Sequence, residues 1–207
     1  MKIVFDFGGV LFDWHPPALL QRELPHLVND ETSAAHWTAQ IFQSYGGDWG
    51  DFDRGAVEPA ALVQRIAART GLAAADVQRV VDGVARELQP KPDTVAWLRR
   101  LHAAGHGLYF LSNMPEPYAA HLEATHDFVG LFQDGVFSSR VRHNKPEREI
   151  FQIAARRFGH SPQQLVFLDD NLPNVEVARS LGWNALLFTG AAAAESELRE
   201  RGWISAC

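Results

Sequence analysis

The chain has a single cysteine, Cys207. No disulfide can form within it, and a reducing, cytoplasmic setting is expected. It has no apolar run approaching the roughly 18 residues of a membrane-spanning helix. The opening stretch MKIVFDFGGV is interrupted at Asp6, which argues against a secretory signal, so a membrane is not expected as a partner. Basic charge is scarce. Nineteen Lys and Arg face 25 Asp and Glu, for a net charge of −6, which favours neither nucleic acid nor an anionic surface. There is no internal repeat and no low-complexity linker. The nine histidines show no zinc-ligand spacing. With 46% hydrophobic and 21% charged residues, 16 Gly and 11 Pro, the composition excludes collagen-like and disordered chains. A chain of this length buries about 70% of its unfolded surface. One domain of about 150 residues with a small accessory domain is the natural expectation.

What is present alternates. Ile3-Val4-Phe5, Leu108-Tyr109-Phe110-Leu111 and Leu165-Val166-Phe167-Leu168 are short apolar runs of strand type, and weaker runs span 135–138 and 185–188. Between them lie helical patterns at about 92–104, from Pro115, and at 147–158, where Gly159 marks the stop. Alternating strands and helices predict an α/β fold, a Rossmann-like parallel sheet with helices on both faces. Residues 16–88 differ: leucines and valines recur there at helical spacing, as in Val77, Val80, Val81, Val84 and Leu88. This stretch is expected to be an all-helical cap inserted into a core of residues 1–15 and 89–207. Gly46–Gly55, GGDWGDFDRG, reads as a loop and a candidate specificity surface. Trp14, Trp49 and Phe52 are candidates to lie over a substrate, although aromatic residues more often fill a core.

Three of the strand-like runs end in polar residues: Asp6, then Ser112-Asn113, then Asp169-Asp170. Ligands in open α/β sheets bind beyond the carboxyl ends of the strands, so these residues should converge. Lys145, before the helix at 147, is expected at the same edge. Three carboxylates against one ammonium leave an excess of about two negative charges, which repel by several kcal/mol at intermediate dielectric. A divalent cation with oxygen ligands, Mg²⁺, would relieve this. Ser112 and Lys145 suit a phosphate's oxygens, and Asp6 suits a nucleophile that forms an aspartyl-phosphate.

FDFGGVLFD at 5–13, LSN at 111–113, NKPE at 144–147 and LDDNLPNV at 168–175 resemble, in order and spacing, the four motifs of the haloacid dehalogenase-type hydrolases. The resemblance spans the whole chain and is nearest to the bacterial sugar-1-phosphate phosphatases, with the phosphatase domain of epoxide hydrolase more distant. It implies a Rossmann-like core with a helical cap. It further implies Asp6 as nucleophile, and Ser112, Asn113 and Lys145 as substrate-binding residues, with Lys145 also catalytic. It implies Mg²⁺ held by Asp6, Asp170 and the Gly8 carbonyl, with Asp169 acting through water. The substrate would be a small phosphorylated metabolite such as a sugar phosphate. A metal-free 2-haloacid dehalogenase and a non-catalytic phospho-ligand binder are the alternatives. The paired Asp169-Asp170 weighs against the first.

One departure stands out. Most phosphatases of this type carry a second aspartate two residues after the nucleophile, to protonate the leaving oxygen. Here that residue is Gly8. General acid–base help is worth about 10²–10⁴ in rate. Asp13 and His15 are the nearest candidates in sequence to replace it. Asp13 also suits a structural role, and His15, before Pro16-Pro17, a surface turn.

Overall fold

The apolar runs become the strands of one parallel sheet in the computed structural model, which describes residues 1–204; Cys207 lies outside the described residues. The strands are β1 (Lys2–Phe5), β2 (Leu108–Ser112), β3 (Asp134–Phe137), β4 (Leu165–Asp169) and β5 (Asn184–Leu187). Their order across the sheet is β3-β2-β1-β4-β5. Phe5 of β1 is in register with Phe110 of β2 on one side and Leu168 of β4 on the other. The order reverses around β1, so Asp6 emerges at the centre of the carboxyl edge, in the crevice where such sheets bind ligands.

The strands read as continuous apolar runs because both faces are covered. Alternate residues go to opposite sides. Ile3, Phe5, Leu108, Phe110, Val166 and Leu168 join one core cluster, and Val4, Tyr109, Leu111, Leu165 and Phe167 join the other.

Between β1 and the next core helix run α1 (Pro16–Glu23), α2 (Glu31–Phe42), α3 (Gly47–Asp53), α4 (Pro59–Thr70) and α5 (Ala74–Glu87), with no strand among them. Their starts and stops are local. Asp30 and Ser33 form a reciprocal capping box on α2, the Ser33 N–H donating to Asp30 Oδ1 at 2.7 Å. Pro59 opens α4 and Gly71, at φ 75°, closes it. The apolar faces of these helices share one continuous cluster with the first face of the sheet. The remaining helices are α6 (Pro92–Ala103), α7 (Glu116–Thr125), α8 (Ser138–Val141), α9 (Arg148–Phe158), α10 (Leu172–Ser180) and α11 (Ala191–Glu200). α6, α7 and α11 cover the face of Ile3 and Phe5, while α9 and α10 cover the face of Val4. Among the described residues no helix is long and apolar enough to cross a membrane.

The segment 46–55 is not the expected loop. Most of it is α3, whose Trp49, Gly50, Phe52 and Asp53 are buried. Its glycines read as turn residues, but Gly50 is there for close packing: a Cβ would lie 2.4 Å from the Tyr45 carbonyl oxygen. Burial at 49, 52 and 53 is helical spacing, and tertiary packing outweighs the poor helix propensity of glycine.

Below the site, Phe7 packs against Phe12, Phe110 and Phe137 with ring centroids 5.3, 4.8 and 5.2 Å away. This fixes the turn that follows Asp6; the N–H groups of Leu11 and Phe12 both donate to the Phe7 carbonyl at 2.8 Å. Phe110 in turn lies directly over Gly135, where a Cβ would sit 2.0 Å from its ring. Gly135→Ala should therefore overpack this aromatic cluster and lower unfolding stability by about 1–3 kcal/mol. Urea denaturation measures it, and an unchanged midpoint would show that the ring has room to move.

Candidate active site

Asp6, Asp169 and Asp170 each place a carboxylate oxygen within 4.8 Å of the others. Lys145 joins two of them. Its ammonium lies 2.8 Å from Asp6 Oδ1 and 2.6 Å from Asp169 Oδ2, and only 1% of its side chain is exposed. A buried ion pair of this kind stands only when the remaining lone pairs are satisfied. Asp169 meets that condition. The Asn171 N–H donates to its Oδ1 at 2.8 Å, and the Asn174 amide donates to both its oxygens at 3.1 Å. Asp6 Oδ1 also accepts the Phe7 N–H at 2.7 Å. Its second oxygen has no protein hydrogen-bond partner among the described residues.

The charges set the protonation behaviour. Asp6 is pushed up to about 7, by burial above all and by Asp169 and Asp170, against the downward pull of Lys145. Asp170 is raised by burial and by Asp169. Burial alone would lower Lys145, but Asp169 and Asp6 more than offset that and hold it above the ordinary lysine range.

Asp170 differs from its neighbour, having no cationic side chain paired with it among the described residues. It lies against Gly9, whose φ is +74°; a Cβ there would fall 2.1 Å from Asp170 Oδ2. Glycine thus both makes the turn and leaves space for the carboxylate. A hard divalent cation fits this donor set: the Asp170 carboxylate with no cationic side chain paired to it, the Asp6 carboxylate within reach, and a net excess of negative charge.

These residues open into a cavity of about 370 Å³. Asp6, Gly8, Ser112, Asn113, Lys145, Asp170 and Asn174 line its floor. The helical segment contributes Tyr45, Trp49, Asp53, Val84 and Leu88. The Trp14 indole N–H donates to the Tyr45 hydroxyl at 2.8 Å, joining the turn after β1 to the segment before α3.

The structure brings together Asp6, Gly8, Ser112, Asn113, Lys145, Asp169 and Asp170, and leaves other candidates outside. The amide of Asn113 grips the Lys145 backbone: its Oδ1 accepts the Lys145 N–H at 2.7 Å, and its Nδ2 donates to the Lys145 carbonyl at 2.9 Å. Trp14 and Trp49 line the cavity, whereas Phe52 packs edge-on to Trp49 and Tyr118 in the core. Asp13 and His15 are exposed and line a neighbouring surface groove that shares Trp14 and Asp170 with the cavity. The His15 Nδ1 accepts the Ala18 N–H at 3.2 Å as the cap of α1. Neither lines the Asp6 cavity. Asn174 and Asp53 were not singled out from the sequence. For Asp53 a signal exists in its spacing from Trp49, one turn back.

A parallel sheet with acidic groups clustered at its central carboxyl edge, under a helical insertion, has the site where open α/β sheets bind ligands. A family model for the haloacid dehalogenase-like hydrolases matches residues 3–182, and the chain belongs to that enzyme family. It is 29% identical over 201 residues to a sesquiterpene phosphatase of Aspergillus oryzae, covering 95% of this chain and 94% of that protein. It is 30% identical over 91 residues to a phosphoglycolate phosphatase of Salmonella typhi, covering 44% of this chain and 36% of the relative. Among solved structures, a haloacid dehalogenase family enzyme of Bacteroides thetaiotaomicron, in complex with magnesium and inorganic phosphate, superposes with a TM-score of 0.72 at 20% identity. That match covers 91% of this chain and 94% of the other. The L-2-haloacid dehalogenase of Xanthobacter autotrophicus superposes with a TM-score of 0.66 at 20% identity, covering 89% and 75%.

The clamp on Lys145 has a measurable consequence. Asn113→Ala leaves the Lys145 N–H and carbonyl without their partners beside a buried ion pair. Stability should fall by about 1–3 kcal/mol, measured by chemical denaturation. A loss below about 0.5 kcal/mol, the level of an ordinary surface substitution, would show that Asn113 does not hold Lys145.

Proposed function

We propose that the chain is a Mg²⁺-dependent phosphatase that hydrolyses the monophosphate ester of an apolar alcohol through an aspartyl-phosphate on Asp6. Residues 1–15 and 89–207 form the catalytic core and residues 16–88 the cap. The observation that carries the reading is the pairing of a free Asp6 oxygen with a wall of apolar and aromatic side chains.

Lys145 draws one oxygen of Asp6 to itself and turns the other toward the cavity. That oxygen attacks phosphorus. The Ser112 hydroxyl and the Lys145 ammonium hold phosphoryl oxygens, a donor plus a point charge. Asp6 and Asp170, with the Gly8 carbonyl, would hold Mg²⁺, and Asp169 would act on it through water. When bound, the ion neutralises phosphate charge and screens the carboxylates from one another. A dehalogenase attacking carbon has no use for the unpaired Asp170 carboxylate.

Trp14, Trp49, Val84, Leu88, Met114 and Tyr118 line the cavity. This wall supports an apolar leaving group over the sugar expected from the motifs, because a sugar's hydroxyls need hydrogen-bond partners that apolar side chains lack. The A. oryzae relative, named a sesquiterpene phosphatase and aligned along nearly the whole chain, supports the same choice.

Phosphate release from a prenyl monophosphate and from glucose 1-phosphate, with Mg²⁺ and with chelator, tests the reading. Each methylene buried is worth about 0.8 kcal/mol, so kcat/KM for the prenyl ester should exceed that for the sugar ester by about 10-fold or more. Chelation should abolish both activities, and so should Asp6→Asn. Full activity in chelator, or chloride release from a 2-haloacid, would contradict the proposal.

A further inference from the structure

The proposed chemistry leaves one group in the cavity without a task. Asp53, the last residue of α3, is 4% exposed and lines the same cavity as Asp6, Gly8, Ser112 and Lys145. It takes part in no ion pair among the described residues. The adjacent Arg54 is turned away, to Glu147 at 2.8 Å and Asp51 at 3.7 Å.

The position of Asp53 is fixed against the core at three points. The Ser138 hydroxyl donates to the Asp53 carbonyl at 2.6 Å, while accepting the Met114 N–H at 2.9 Å. The Asn144 amide donates to the Gly50 carbonyl at 2.8 Å. Arg54 completes the set through Glu147. All three ties run from α3 or its C-cap Arg54 to residues 138–147, the segment that carries Lys145. The helix bearing Asp53 is therefore registered against the same loop that orients Asp6.

We propose that Asp53 is the general acid–base of this site, supplied by the helical insertion in place of the carboxylate missing at Gly8. The inference rests on the phosphatase reading of Asp6. In the first step Asp6 forms a bond to phosphorus and the bond from phosphorus to the ester oxygen breaks. The leaving oxygen takes the proton of the Asp53 carboxyl, giving a neutral alcohol and an Asp53 carboxylate. In the second step the Asp53 carboxylate takes a proton from water as that water attacks phosphorus. The bond to Asp6 breaks, phosphate leaves, and both carboxyl groups return to their starting states. The surroundings of Asp53 suit the first role. Burial holds it well above the ordinary carboxylate range, and Arg54, Lys145 and the Trp49 side chain bring it down only in part. A carboxyl so placed keeps its proton until an alkoxide develops beside it.

Proton delivery matters for an alcohol that leaves poorly and hardly at all for an activated phenol. The test compares kcat/KM for a prenyl monophosphate and for p-nitrophenyl phosphate in wild type, Asp53→Asn and Asp53→Glu, with Mg²⁺ present and folding checked by circular dichroism. Asp53→Asn should lose about 10²–10⁴-fold on the prenyl ester and less than about 10-fold on the aryl ester. Asp53→Glu, which keeps an acid, should recover part of the prenyl activity. Asp13→Asn and His15→Gln should leave the ratio of the two activities unchanged. An equal loss on both esters in folded Asp53→Asn, or no loss on the prenyl ester, overturns the assignment. If Asp53→Asn does not fold, the glutamate variant decides. A fall confined to the prenyl ester supports the assignment, and a uniform fall overturns it. Wild-type protein that releases phosphate from neither ester overturns the phosphatase reading, and this inference with it, and is distinguished from the other failures by the wild-type control.

Discussion

The site depends on one buried charge. Lys145 sits between Asp6 and Asp169, at 2.8 and 2.6 Å, and without it the carboxyl edge of the sheet would hold three mutually repelling carboxylates. The ammonium alone is not enough to keep such a pair buried, because the desolvation cost is large unless every remaining polar atom is matched. The matching is visible. Asn174 and the Asn171 N–H satisfy Asp169, the Phe7 N–H satisfies one oxygen of Asp6, and Asn113 grips the lysine's own backbone. What is left over is specific: one Asp6 oxygen, and the Asp170 carboxylate beside Gly9. Those are the two groups a reacting phosphorus and a cation would need.

The helical insertion is more than a cover. Its α3 lies across the cavity and is tied to the Lys145 loop by a serine, an asparagine and an ion pair. The insertion and one face of the sheet also share one hydrophobic cluster. A wall built this way can position chemistry as well as choose a leaving group. That provides a physical route by which a core lacking its second aspartate can remain competent. In the proposed arrangement the proton donor sits on the helical insertion, where burial holds its carboxyl well above the ordinary carboxylate range.

Much of the fold was legible because its signals are local. The apolar runs ending in Asp6, Ser112 and Asp169 are strands buried on both faces, and four separated motifs agree with one another. The five-helix insertion showed in the spacing of residues such as Val77, Val80 and Val84. What stayed hidden depends on contacts distant in the sequence. α3 reads as a loop because Gly46, Gly47 and Gly50 are turn residues by propensity; it is a helix because Trp49 and Phe52 are buried and Gly50 must pack against the Tyr45 carbonyl. Asp53 could not be found by nearness to Gly8 in the chain, since 45 residues separate them. Asp13 and His15, which are near, are turned to solvent, and His15 is occupied as a helix cap. Asn113 reads as a ligand-binding residue of its motif; it lines the cavity and also grips the Lys145 backbone, a contact 32 residues distant that the motif does not show.

The central claim is that the free oxygen of Asp6 becomes covalently bound to phosphorus. Acid quenching during turnover of a phosphate ester, followed by borohydride reduction and peptide mass spectrometry, reads this directly. The account predicts that the residue at position 6, and neither Asp169 nor Asp170, is converted to homoserine, and only when substrate was present. Unmodified Asp6 in enzyme shown by rapid quench to accumulate a covalent phosphoryl group elsewhere would contradict it.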